Sequence, residues 1–263
     1  MLTTQSTRGA EAGSDGYAVL LLHAFPLSAG MWNQQLLALE EAGIAAIAPN
    51  AYGIEGSDEM PDWTFDGYAR DLCAMLDDIG CRKASIVGLS MGGYQAFAFY
   101  RLFPERTASL VLCDTRAEAD APESTKQRHE FIEAVENSGP AEAIKRMMPN
   151  YFTPETCKAN PSLVERTAAM IMEQSVIAIT SAMKAIMKRD DATPLLPDIT
   201  CPVLVLNGRE DRLTTAQTAE NIAKEIPGAE LELIQDAGHL SNMEQPARFN
   251  RALLGHINRV RSL

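Results

Sequence analysis

Histidine is scarce in this chain, basic residues are outnumbered, and no apolar run is long. Only four histidines occur in 263 residues, and none lies in an HExxH pattern, so the helical zinc signature is missing. No GxGxxG follows a strand-like run, which argues against a dinucleotide. Neither a metal nor a cofactor is expected. Lysine and arginine total 23 against 35 aspartates and glutamates, a net charge of −12 with no basic cluster. Such a surface repels phosphate backbones and argues against nucleic acid as a partner. The five cysteines are odd in number, and no two form a CxxC pair. Cys73, Cys81, Cys113, Cys157 and Cys201 read as buried, reduced thiols, which suits a reducing, cytoplasmic compartment. Residues 1–16 are polar and lack the apolar centre of a signal peptide. The apolar run from Tyr17 to Phe25 is far too short to span a bilayer, so no membrane partner is expected.

What is present is a repeating alternation. Six apolar runs read as strands: 17–23, 44–49, 84–90, 108–114, 201–208 and 229–235. Amphipathic segments read as helices over 31–42, 65–79, 92–103, 214–225 and 246–260. Strand and helix in turn predict an α/β fold with a mostly parallel, doubly wound sheet. With 46% hydrophobic residues the chain can bury one large core. From about Thr115 to Pro197 no strand is evident, and prolines punctuate a helical stretch that holds six of the twelve methionines. The reading is a core made of 1–114 and 198–263, with a helical cap inserted over 115–197.

Gly88-Leu89-Ser90-Met91-Gly92 stands where a buried strand meets a helix. A GxSxG at such a junction describes a nucleophile elbow. Side chains two residues from the serine would collide in so tight a turn, and Gly88 and Gly92 avoid this; Gly93 leaves room for the helix to approach the sheet. Serine needs a base. His239, in DAGHLSNMEQP after the last strand, ends on the same sheet edge as Ser90. His23, His129 and His256 have less suitable places. The imidazole needs a carboxylate to hold its tautomer. Asp211, in NGREDRLT after the fifth strand, is preferred to its neighbour Glu210 and to Asp114, which follows the fourth strand.

The chain resembles the α/β-hydrolase superfamily over nearly its whole length outside the insertion. The likeness rests on HAFPLSAGMW (23–32), APNAYGIEGSD (48–58), GLSMGGY (88–94), FPERTASLVLCDTRAEAD (103–120), NGREDRLT (207–214) and DAGHLSNMEQP (236–246). It looks most like bacterial carboxylesterases, 3-oxoadipate enol-lactonases and cofactor-free haloperoxidases. The resemblance implies an α/β-hydrolase fold, an oxyanion hole formed by the N–H groups of Phe25 and Met91, and a His23 that braces its loop. Three departures stand out. Ala24 replaces the usual glycine of an HG motif, and Asn50-Ala51-Tyr52-Gly53 replaces Asp-X-Arg-Gly. The leading hairpin of the family is expected to be absent or reduced.

The expected activity is hydrolysis of small to medium carboxylic esters or lactones through an acyl-enzyme. The same triad serves perhydrolysis or haloperoxidation with peroxide, acyl transfer to an alcohol, and C–C bond hydrolysis; the sequence does not separate them. A receptor on a hydrolase scaffold is the non-enzymatic alternative. Ser90 argues against dehalogenation and epoxide opening, which need an aspartate at the elbow. Most cap methionines read as helical core, while Met147, Met148, Tyr151 and Phe152 are candidates for lining a substrate pocket. Monomer and homodimer are equally compatible with the sequence.

Overall fold

The computed structural model describes residues 1–7 and 16–262. Among the described residues seven strands form one sheet: β1 (Thr4–Ser6), β2 (Tyr17–Leu22), β3 (Ala46–Pro49), β4 (Lys83–Leu89), β5 (Thr107–Cys113), β6 (Val203–Gly208) and β7 (Glu230–Ile234). Their order is β1-β3-β2-β4-β5-β6-β7. All pairs are parallel except β1 with β3. The central strands are mostly apolar because both sheet faces are covered, and Val19 to Leu22 are fully buried.

The sequence reading begins the sheet at Tyr17. The structure adds β1, with Thr4 opposite Pro49 and Ser6 opposite Ile47. The three residues of β1, Thr4-Gln5-Ser6, carry no apolar alternation, so a period-based reading has nothing to detect there. Backbone pairing with β3 makes the strand, at the edge where a polar sequence is tolerated.

The core helices are α1 (Asn33–Glu41), α2 (Phe65–Asp78), α3 (Met91–Leu102), α9 (Ala216–Glu225), α10 (Ser241–Glu244) and α11 (Pro246–Arg261). The chain passes from β2 through α1 to β3 in one direction along the sheet, then through α2 and α3 in the other. Right-handed crossovers therefore put α1 on one face and α2 with α3 on the opposite face. Consistent with this, α1 packs on α11, and α2 packs on α3. The reversal of direction lies between β2 and β4, which opens a crevice at their C-terminal ends. Ser90 follows β4 there, and the loop from His23 follows β2.

Between β5 and β6 run α4 (Pro122–Ser138), α5 (Pro140–Met147), α6 (Pro154–Ala159), α7 (Pro161–Met172) and α8 (Val176–Met187). Four of these helices begin on a proline, where the missing N–H has no intrahelical partner to lose. The ends of this segment are tied together. Ala192 N–H donates to the Ala117 carbonyl at 2.8 Å, and the Arg189 guanidinium lies 2.8 Å from Asp120, which also pairs with Arg128. No single helix among the described residues is long and apolar enough to cross a membrane. Cys73, Cys81 and Cys113 are buried thiols as expected, but Cys157 on α6 is exposed and Cys201 is partly so. α6 is short and buries none of its residues, so Cys157 lies at the surface.

Candidate active site

Ser90 caps the N-terminus of α3 with φ 55° and ψ −112°. A left-handed backbone at a non-glycine residue costs on the order of 1–3 kcal/mol and persists only where its surroundings enforce it. The glycines permit it. A Cβ on Gly88 would lie 2.1 Å from the Gly92 carbonyl oxygen, and one on Gly92 would lie 2.1 Å from that of Leu22. A Cβ on Gly93 would be 2.2 Å from Oγ1 of Thr115, just past β5, so its missing side chain lets α3 lie close to that strand end.

Three loops bring Ser90, His239 and Asp211 together. His239 Nε2 is 2.9 Å from Ser90 Oγ, and its Nδ1 is 2.8 Å from Asp211 Oδ2. The neutral tautomer that satisfies both contacts carries its proton on Nδ1 and accepts from the serine at Nε2. Asp211 is itself held. Leu213 and Thr214 N–H donate to its Oδ1 at 2.8 and 3.1 Å, and the Thr214 hydroxyl donates to Oδ2 at 2.6 Å. Burial pushes the Asp211 carboxyl up, but the His239 charge and hydrogen bond and the Thr214 donors outweigh it and hold it below the usual range. Thr214 gives no signal in the sequence beyond its place three residues after an aspartate.

The two rival acids lie elsewhere. Glu210 turns back to accept the Ala237 N–H at 3.0 Å. Asp114, fully buried, accepts the Gly208 N–H at 2.7 Å and the Ser241 hydroxyl at 2.5 Å.

Met91 is the first residue of α3, so its N–H points out of the helix toward the crevice. The Phe25 N–H belongs to the Ala24–Phe25 peptide, whose carbonyl accepts from His23 Nδ1 and from Leu27 N–H, each at 2.9 Å. His23 Nε2 accepts the Ala51 N–H at 2.9 Å. Among the described residues, neither the Phe25 nor the Met91 N–H has a protein acceptor. Burial lowers His23 to a pKa of about 4, so it is neutral and serves both bonds at once. Ala24 does not have a positive φ, so a glycine's freedom is not needed at that position. Asn50 braces the same loop by accepting the Ala29 N–H at 2.7 Å.

Of the four candidate pocket residues, Met147 and Met148 are partly buried and pack against the core, while Tyr151 and Phe152 are buried. Tyr151 reaches from the segment between β5 and β6 into the site. Its hydroxyl donates to the Phe25 carbonyl at 2.5 Å, and its ring stacks on His239 at a centroid distance of 6.0 Å. Phe131 of α4 meets Phe25 edge to face at 5.8 Å. A cavity of about 190 Å³ borders Phe152, Thr153, Glu210 and Gly238, beside the acid and base loops. Another of about 450 Å³ lies off the site, between α3 and the segment after α8.

A sequence model described as alpha/beta hydrolase family matches residues 19–252. The chain is 25% identical to a 3-oxoadipate enol-lactonase 2 of Acinetobacter baylyi, covering 91% of this chain and 88% of that protein. It is 28% identical to a 2-hydroxy-6-oxononadienedioate/2-hydroxy-6-oxononatrienedioate hydrolase of Burkholderia vietnamiensis, covering 95% and 90%. Among solved structures it is similar to a thermophilic esterase from Thermogutta terrifontis, with 35% identity, a TM-score of 0.93, and coverage of 98% and 93%. The enol-lactonase from Burkholderia xenovorans LB400, at 23% identity, shares the fold with a TM-score of 0.86 over 98% and 96% of the two chains.

Proposed function

We propose, for a chain that belongs to the alpha/beta hydrolase family, a serine hydrolase that cleaves small to medium carboxylic esters or lactones through an acyl-enzyme. The observation that carries this reading is the continuous contact from Ser90 Oγ to His239 Nε2 and from His239 Nδ1 to Asp211, at 2.9 and 2.8 Å. The esterase and enol-lactonase relatives support the ester or lactone class.

The geometry supports the following steps. His239 Nε2 takes the Ser90 proton as Oγ bonds to the carbonyl carbon. Asp211 holds the ring and stabilises the imidazolium. The N–H groups of Phe25 and Met91 receive the oxyanion, at the positive end of α3. The imidazolium then gives its proton to the leaving oxygen as the C–O bond breaks. Water, deprotonated by His239, hydrolyses the acyl-serine and restores the hydroxyl. In this reading residues 115–197 form the cap, and Met147, Met148, Tyr151 and Phe152 border the substrate, Tyr151 also fixing the loop of Phe25.

The test is a panel of esters, lactones and thioesters of graded chain length, with peroxide as an alternative acceptor and a vinylogous 1,5-diketone as a C–C substrate. Multiple turnover on an ester or lactone, lost in Ser90→Ala, is expected. Turnover confined to the diketone would overturn the ester reading. Tight binding of an ester without turnover would favour a receptor.

A further inference from the structure

Asp114 and Thr115 follow β5 directly, and between them they touch all three loops of the site. The Asp114 Oδ1 accepts the Gly208 N–H at 2.7 Å, while the Gly208 carbonyl accepts the Asp211 N–H at 3.1 Å. Asp114 therefore grips the base of the turn that presents Asp211. Its Oδ2 accepts the hydroxyl of Ser241 at 2.5 Å, two residues beyond His239. The Thr115 hydroxyl donates to the Ser90 carbonyl at 2.8 Å, and the Ser90 N–H donates to the Cys113 carbonyl at 2.9 Å. The strand end thus holds Ser90 from both sides. Asp114, Thr115 and Ser241 are all buried, so water does not compete for these bonds.

We propose that Asp114 and Thr115 form a positioning brace, which holds the Ser90, Asp211 and His239 loops in register. This rests on the serine-hydrolase reading above. Two features single the pair out. Asp114 adopts φ 43°, a left-handed conformation that aspartate and asparagine tolerate better than most residues. Gly93 keeps clear the space that the Thr115 side chain fills. Neither residue reaches the reacting atoms, so the contribution is placement: a shift of about 1 Å at a catalytic group can cost about 10²-fold in rate.

The surroundings push the two carboxyls in opposite directions. Burial, then the Asp211 carboxylate, pushes Asp114 well above the usual carboxylate range, against the pull of its Gly208 and Ser241 partners. Asparagine matches Asp114 in shape: its Oδ1 can accept the Gly208 N–H, and its amide can donate to the Ser241 oxygen. Asp211 works as an anion, for which asparagine is no substitute.

The experiment measures hydrolysis of p-nitrophenyl acetate and the second-order rate at which a fluorophosphonate labels Ser90, on the full chain. Asp114→Asn is expected to stay within about threefold of wild type in both. Ser241→Ala and Thr115→Val should each lower kcat and the labelling rate about tenfold with KM nearly unchanged, and Thr115→Ser should restore them. Asp114→Ala, which removes two bonds, should lose about 10²-fold. If Asp114→Ala does not fold, the Ser241 and Thr115 variants decide. Wild-type rates in Ser241→Ala and Thr115→Val, or equal damage from Asp114→Asn and Asp114→Ala, would overturn the brace. A wild-type chain that the fluorophosphonate does not label would instead overturn the serine-hydrolase reading itself.

Discussion

His239 Nε2 stands 2.9 Å from Ser90 Oγ although 149 positions separate them in the chain. The contact exists because β4 ends in the elbow and the loop after β7 returns over the same sheet edge. Removing the hydroxyl tests what it does. Ser90→Ala should lower kcat on a short p-nitrophenyl ester by about 10⁴–10⁶ while circular dichroism stays unchanged. Retention of most of the activity would remove Ser90 from the mechanism.

Asp211→Asn leaves the shape of the acid turn but disrupts the tautomer of His239. A loss of about 10⁴ in kcat is expected. Thr214→Val removes one donor to the same carboxylate and should cost about tenfold, near the net worth of one hydrogen bond to a charged group, with Thr214→Ser close to wild type. Steady-state kinetics of the three variants checks both. Equal activity in Asp211→Asn and wild type would mean that another group serves the imidazole.

Gly88→Ala should abolish the fold or the elbow. Its Cβ would meet the Gly92 carbonyl oxygen at 2.1 Å and the Gly93 nitrogen at 2.7 Å, and both are backbone that has no free rotation to yield. Destabilisation beyond about 4 kcal/mol is expected by urea unfolding. Gly43→Ala is the control for crowding, since nothing surrounds its Cβ position and only its φ of 67° opposes the change.

Acid should destabilise the protein well above the carboxylate range. His23 and His256 are buried, and burial lowers both to a pKa of about 4 from 6.5. Between those values the unfolded chain binds protons that the folded chain refuses, so stability rises with pH across that window and is lost as pH falls through it. The shift at His23 corresponds to on the order of 3 kcal/mol by pH 4. Urea unfolding from pH 7 to 4 should show this slope, and His256→Gln should flatten it without affecting ester hydrolysis. An unchanged slope in His256→Gln would mean that His256 is protonated in the fold.

Met147→Ala and Met148→Ala should shift the preference among p-nitrophenyl esters of increasing chain length toward longer acyl groups, as room opens on the cap side. An unaltered profile in both variants would place the acyl group elsewhere.

The sequence by itself determined most of the sheet and the order of the candidate site residues along the chain. Continuous apolar runs mark strands buried on two faces, and Gly88, Gly92 and the prolines that open helices signal local geometry that few other residues adopt. Ser90, Asp211 and His239 were each legible because they follow a strand, and parallel strands deliver their ends to one edge. What tertiary structure alone decided is what those ends touch. The choice between Asp211, Glu210 and Asp114 turns on side-chain direction, which no periodicity encodes. β1 is polar and owes its existence to pairing with β3. Tyr151, Thr214, Asp114 and Thr115 take their places through contacts between segments far apart in sequence. Hydrogen bonds of that kind depend on distances of a few tenths of an ångström, and these are fixed only when the whole core has packed.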